Sequence, residues 1–136
     1  MKSNLTAVDI MFSHLKGSPL ESAITGNIRK HRRIANSSKE DVVINSLALN
    51  NEQLQKGVLN VNIHVPNLSI PTESPQVMDT EYPNSERLNY LTSLSIPILK
   101  DKWGTDYNFD IEQIHLITEE DSSFNNIRIT FYAINI

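Results

Sequence analysis

The stretch that decides the fold is "VLNVNIHV", residues 58–65. Its side chains alternate between an apolar set, Leu59, Val61, Ile63 and Val65, and a polar set, Asn60, Asn62 and His64. Successive side chains of a β-strand point to opposite faces of the sheet, so strict alternation is typical of a strand with one buried face. This stretch therefore predicts a central strand of a sheet.

A second strand is predicted immediately upstream, in "DVVINSLALN", residues 41–50. The polar stretch "NNEQLQKG", residues 50–57, reads as the connection between the two strands. Because this connection is short, we expect the two strands to pair antiparallel.

The C-terminal part predicts a hairpin. "FDIEQIHLIT", residues 109–118, and "NNIRITFYAINI", residues 125–136, read as strands, and the acidic turn "EEDSSF", residues 119–124, joins them. The stretch 27–34 has no clean period and reads as an exposed edge strand or an extended arm.

Three helices complete the prediction. Apolar residues spaced by three and four predict a helix over 4–15, a short helix follows over 19–24, and a third begins near Ser85, where Pro97 should kink or end it. The expected fold class is α+β, with an antiparallel or mixed sheet of four to five strands and helices packed on one face.

The stretch 66–84 holds four of the six prolines and shows no helical or strand period. We expect it to be a long loop within a single domain that spans residues 1–136. Loops of this length are usually functional or disordered, and its scattered apolar residues indicate that it packs on something.

Composition limits the function. The chain has 136 residues, a net charge of -4 and no cysteine, which excludes disulfides, thiolate metal sites and cysteine nucleophiles. No apolar run has the length of a signal peptide or a membrane span, so a soluble protein without a membrane partner is expected. The overall acidity argues mildly against a dedicated nucleic-acid binder.

The sequence offers little catalytic chemistry, and we predict no enzyme, cofactor or metal site. There is no glycine-rich phosphate loop and no HExxH or nucleophile-elbow pattern. A hydrolase or ligand-binding site would need His64, His115 and an acid to converge. The acidic group at 119–121 lacks the spacing of a calcium loop and reads as a solvated turn. The aromatic set Trp103, Tyr107 and Phe109 is assigned to packing.

One charged cluster stands out. Arg29, Lys30, Arg32 and Arg33 account for four of the twelve Lys and Arg residues, and Glu40 and Asp41 follow soon after. Three interpretations remain open: a nucleic-acid patch, a surface that contacts an acidic patch on a partner or on another copy, and a solvated strand edge.

The element order resembles the small tail-terminator, or tail-completion, proteins of long-tailed bacteriophages and prophages, which act where head and tail join. The resemblance rests on "ITGNIRK" at 24–30, the strand pattern S-x-x-E-D-V-V-I-N at 37–45, the alternating strand at 59–65, and a helix beginning "SERL" before a terminal hairpin.

The resemblance implies a non-enzymatic structural protein in a virion or in the host cytoplasm. It implies a ring, commonly of six copies, that contacts tail-tube and neck proteins. A ring needs two different surfaces on each subunit. The candidate contact residues are Arg29, Lys30, Arg32, Arg33, Glu119, Glu120 and Asp121. A nucleic-acid-binding module that uses the basic segment 29–33 is the alternative function, and a contact with DNA would be non-specific.

Overall fold

A computed structural model describes residues 1–74 and 77–134 of the chain. In chain order its elements are α1 (Asn4–Leu15), α2 (Pro19–Ala23), β1 (Ile28–Lys30), β2 (Asp41–Ser46), β3 (Leu54–Pro66), β4 (Leu68–Pro71), β5 (Met78–Tyr82), α3 (Ser85–Leu99), β6 (Lys102–Trp103), β7 (Tyr107–Thr118) and β8 (Ser122–Ile134). No helix within the described residues has both the length and the apolar character needed to cross a membrane.

The larger sheet has six strands in the order β1-β2-β3-β8-β7-β6. β1 runs parallel to β2, and every other neighbouring pair is antiparallel, so the sheet is mixed. The sheet curls into a half-barrel, and strands hold 44% of the residues against 24% in helices.

The predicted fold class, a sheet of four to five strands with helices packed on one face, is therefore wrong. The polar stretch read as a connection pairs with β8 from Leu54 onward, which lengthens β3 to 13 residues. Long paired strands carry the right-handed twist over their whole length, and that twist accumulates into curvature. Two short strands, β1 and β6, complete the count at the two edges.

Apolar side chains of the sheet and of the helices form one core. On β3 the predicted alternation is confirmed, because the four apolar side chains from Leu59 to Val65 are at most 2% exposed. The core-facing side chains of β8 continue the same layer, and α1 and α3 add Met11, Leu15, Leu91 and Leu99 to the cluster. We call the other surface of the sheet its outer face.

The helices follow their sequence signals. α1 is capped by Ser3, whose hydroxyl accepts from the Thr6 amide at 3.1 Å. Asn84 caps α3 in the same way, through the Arg87 amide at 3.2 Å. Pro97 lies in the last turn of α3, which ends two residues later at Leu99.

The stretch 66–84 is not structureless, contrary to the prediction. β4 and β5 pair antiparallel as a separate two-stranded sheet, which we call the arm. Its side chains are largely exposed, so no buried face imposed an alternation that the sequence could show. Residues 75–76 lie outside the described part.

The predicted C-terminal hairpin is confirmed as β7 and β8, joined at residues 119–121. The last two residues of the predicted strand, 135–136, lie outside the described part. A bulge between Ile111 and Gln113 shifts the pairing of β7 by one residue.

Candidate functional site

The basic segment, residues 29–33, begins on β1 at one edge of the large sheet. The Lys30 ammonium pairs with Asp9 at 2.7 Å and lies 4.8 Å from the centre of the Phe12 ring, so it docks onto α1. β1 ends at Lys30, and the next residue, His31, has a φ of 72° in the left-handed region, which turns the chain out of the strand.

Arg33 points back into its own chain. Its Nε and Nη2 donate to Asp41 Oδ2 at 3.2 and 3.1 Å. Nη2 also donates to the carbonyl of Lys39 at 2.8 Å, and Nη1 donates to the Ser122 hydroxyl at 3.0 Å. The guanidinium thus fastens the loop after β1 to β2 and to the start of β8. The opposite charges of Arg33 and Asp41 therefore form an ion pair within the chain.

Asp41 is 4% exposed and lies at the first position of β2. Burial opposes its ionisation, but bonds from the Ser37 hydroxyl, the Asn27 amide and Arg33 outweigh that cost and lower the pKa of its carboxyl. The chain at Gly26 passes so close that a Cβ there would overlap the Asp41 carboxylate. Only glycine leaves the carboxylate this room.

Glu40 makes a second internal pair. Its carboxylate accepts from Arg87 Nε at 2.7 Å and Nη2 at 2.9 Å, which ties the start of β2 to α3. The hydrogen bond to Glu40 raises the pKa of Arg87. Both acids of the segment "KED" are therefore used to hold the fold.

Arg29 and Arg32 are the two cations of the segment left for a partner. Neither side chain makes a hydrogen bond or ion pair with any residue in the described ranges 1–74 and 77–134. Arg29 is half-buried on the outer face, and Arg32 is exposed beyond the end of β1. Of the four predicted basic contact residues, these two are the ones with unused charge.

The acidic turn, Glu119, Glu120 and Asp121, is held through its backbone. Asn67 Nδ2 donates to the carbonyls of Glu119 and Glu120 at 2.7 and 3.1 Å, and the Asn67 amide donates to that of Asp121 at 2.9 Å. The three carboxylates have no ion-pair partner in the part of the chain that the structure describes.

The structure brings part of the basic segment and the acidic turn together. An open cavity of about 690 Å³ lies between the loop 33–38 and residues 119–122, with Pro66 in its wall. Arg33 bonds across it to Ser122, next to the acidic turn. Arg29 and Lys30 do not line this cavity.

The two histidines named for a hydrolase do not converge. His64 is on β3 and His115 on β7, with β8 between them, which places them roughly 10 Å apart at the usual strand spacing. His64 packs on the Phe124 ring at 4.6 Å, and its buried Nδ1 has no hydrogen-bond partner in the described part. Burial, with a smaller effect of Arg33, lowers the pKa of His64 to about 4. No group of three or more His, Asp or Glu side chains among the described residues could hold a metal ion.

The aromatic set divides. Phe109 is buried and stacks on Phe131, as a packing role requires, but Trp103 is 72% exposed on β6. Because β6 and β1 are opposite edges of the sheet, Trp103 cannot form a stacking platform with the basic segment.

Sequence reasoning missed two exposed apolar surfaces. Trp103 shares one end of the sheet with Leu54 and Ile134, which pair across β3 and β8 and are 55% and 54% exposed. The arm exposes Met78 and Tyr82 at the other end of β3. The sequence does show Trp103 directly before a glycine, but no pattern in it indicates the two strands of the arm.

Comparison of the chain with protein-family models and with curated proteins found no match. The site is therefore interpreted from its own geometry. It offers unpaired cations at one sheet edge, unpaired carboxylates at the far end of β7, and exposed apolar side chains on the arm, which together suit contacts with other macromolecules.

Proposed function

We propose that this chain is a non-enzymatic structural subunit of the tail-terminator or head–tail joining type, from a phage or prophage, and that copies of it form a ring at the end of the tail. The observation that carries the proposal is that one sheet carries unpaired charges of both signs. Arg29 and Arg32 lie unpaired at the β1 edge, while the carboxylates of the acidic turn lie unpaired at the end of β7.

A ring needs two different, complementary surfaces on each subunit, and the unpaired cations at β1 and the unpaired carboxylates after β7 supply them. The exposed arm offers a third surface for a tail-tube or neck protein, because large exposed apolar side chains in a projecting element are typical of interaction sites. In this proposal the polar side chains of residues 25–41 stabilise the fold, because Arg33 and Arg87 both form ion pairs with carboxylates of the same chain.

The test is the mass of the protein in solution. Sedimentation of the wild type alone, and after mixing with isolated tail tubes, should give a ring-sized species in at least one condition. The double variant Arg29→Glu with Arg32→Glu should dissociate it. The control, Lys56→Glu with Lys100→Glu, makes the same change of net charge at exposed positions outside the β1 and β7 edges and should leave the ring intact. A monomer under both conditions would overturn the proposal.

Nucleic-acid binding through the basic segment is the second candidate, since Arg29 and Arg32 are free to meet phosphates. Lys30 and Arg33 are already paired with Asp9 and Asp41. With two free cations the logarithm of the binding constant should fall with the logarithm of salt concentration at a slope of about −2. A slope near this value that the Arg29→Glu, Arg32→Glu variant removes would favour nucleic acid over a protein partner.

A further inference from the structure

The strand β7 has an unusual free edge. β8 pairs with one side of it along its length, but β6 pairs with the other side only at Asn108 and Phe109. No strand among the described residues covers that side from Asp110 to Thr118, so a row of backbone donors and acceptors is left open there.

The free edge lacks the usual protection against strand addition. Edge strands are normally blunted by lysine, proline or charged side chains. The stretch 113–118, "QIHLIT", has none of these. After the bulge its core-facing side chains are Ile114 and Leu116, and they remain 37% and 44% exposed. An extended strand laid beside them would bury these side chains and pair the open backbone groups.

The opposite edge of the same sheet supplies a strand of the right kind. β1 bonds β2 through the Asn27 carbonyl and the His31 amide, at 3.0 and 2.7 Å. Backbone groups alternate in direction along a strand, so those of Ile28 and Lys30 face the open side of β1, where the Lys30 carbonyl already accepts from the Arg32 amide at 2.9 Å. The amide and carbonyl of Ile28 and the amide of Lys30 are thus available for a second partner.

The two edges also match in level and in face. Across the sheet Ile28 aligns with Val42, then Ile63, Asn125 and finally Leu116. By the same registers Lys30 aligns with Ile114, and Arg29 with His115. Suppose that a second copy continues the sheet at the β7 edge with the same face toward the core. Its Ile28 would then lie beside Leu116 and its Arg29 beside His115, with no shift in strand register.

Charge selects this pairing over the symmetric ones. Residues 110–121 carry five acids, of which Glu112 pairs with Arg128, and no Lys or Arg, whereas residues 28–33 carry no acid and two bases, Arg29 and Arg32, outside the internal ion pairs. Two β7 edges would repel each other, as would two β1 edges, but one of each attract.

We infer that copies of this chain associate head to tail by strand addition, with β1 of one copy pairing antiparallel with the free edge of β7 in the next. This inference rests on the proposed ring and specifies how its subunits join. The joint is heterologous, so it uses one β1 and one β7 at every contact and leaves the arm free for a different protein.

The absence of cysteine makes cross-linking a clean test. Opposed residues of neighbouring strands lie about 4.5 to 5.5 Å apart at Cα, which is within reach of a disulfide. Under mild oxidation, a mixture of Arg29→Cys and His115→Cys should give a covalent dimer that neither variant gives alone. The double variant should give a ladder of higher species. Asn108→Cys is the control for His115→Cys. Asn108 lies on the same strand and the same face, but there the strand is already paired with β6.

A blocking variant gives an independent readout. Leu116→Lys adds the type of side chain that protects natural edges and should reduce the assembled species to monomer. Leu68→Lys, at a similarly exposed leucine of the arm, should leave the assembly unchanged.

The outcomes separate the two proposals. An assembled wild type that gives no mixed cross-link and that withstands Leu116→Lys overturns the strand joint while the ring stands. Cross-linking of His115→Cys alone would indicate a symmetric β7 contact and would also overturn it. A wild type that never assembles overturns the ring itself.

Discussion

The basic segment and the acidic turn meet at one cavity, yet their charges serve the fold in different ways. Arg33 is largely buried and makes hydrogen bonds to a carboxylate, two carbonyls and a hydroxyl. The carboxylates of the acidic turn are exposed, and it is their backbone that Asn67 holds. The number of charged residues alone does not distinguish a residue that holds the fold from one that is free to bind a partner; burial and hydrogen bonding do.

The largest expected effect comes from removing the buried acid. Asp41→Ala should lower the free energy of unfolding by about 3 to 5 kcal/mol, because Arg33 would be left inside without its counter-charge. Urea denaturation measures this loss. Asp121→Ala, which removes a carboxylate of the acidic turn, is the matched control and should change stability by less than about 0.5 kcal/mol. Equal losses from the two variants would contradict the difference drawn between the regions.

The sequence was sufficient for the strand at 58–65, for α1 and for the terminal hairpin, because each carries a local period that one buried face imposes. It was insufficient for the curl of the sheet, which depends on how far β3 pairs with β8. Nor could it show that Arg33 turns back, since its partner Asp41 lies beyond a left-handed turn at Asn36. The strands of the arm could not be predicted, because neither of its faces is buried and no alternation is imposed on its sequence.

The next effect is on pH dependence and concerns His64, which lies opposite Asp41 in the register of β2 and β3. Its folded pKa of about 4 is below the ordinary 6.5, so folding favours the neutral ring. The stability this provides is complete above pH 6.5 and is lost as the pH falls toward 4, by roughly 2 to 3 kcal/mol. Urea midpoints measured across this window should show the decline.

Two variants sharpen the assignment. His64→Leu should flatten most of the slope between pH 6.5 and 4. His14→Asn should remove a smaller part, because burial and the nearby Lys102 also lower the pKa of His14. Asp41 affects stability at a lower pH than the histidines do. Its pKa lies below the ordinary 3.8, and its contribution to stability is lost only as the pH falls through that lower value. An unchanged slope in His64→Leu would contradict the buried neutral histidine.

A smaller effect is expected at Lys30, three residues from Arg33 but paired at the surface. Its partner Asp9 is 62% exposed, and such pairs contribute little. Lys30→Ala should cost about 0.5 to 1 kcal/mol, including the contact with the Phe12 ring. The difference between wild type and Lys30→Met, which keeps the aliphatic stem, should shrink in high salt because screening weakens exposed pairs. A salt-independent loss would show that packing, not charge, dominates there.

The smallest effect on stability should come from the acidic turn itself. Neutralising all three carboxylates, by Glu119→Gln, Glu120→Gln and Asp121→Asn, keeps the carbonyls that Asn67 binds and should alter the free energy of unfolding by no more than about 0.5 kcal/mol. A loss above about 1 kcal/mol would mean that these charges hold the subunit together. If stability is unchanged and sedimentation of the same variant shows weakened association, the carboxylates act between subunits, because groups that contribute nothing to the folded monomer can then affect assembly only through a partner.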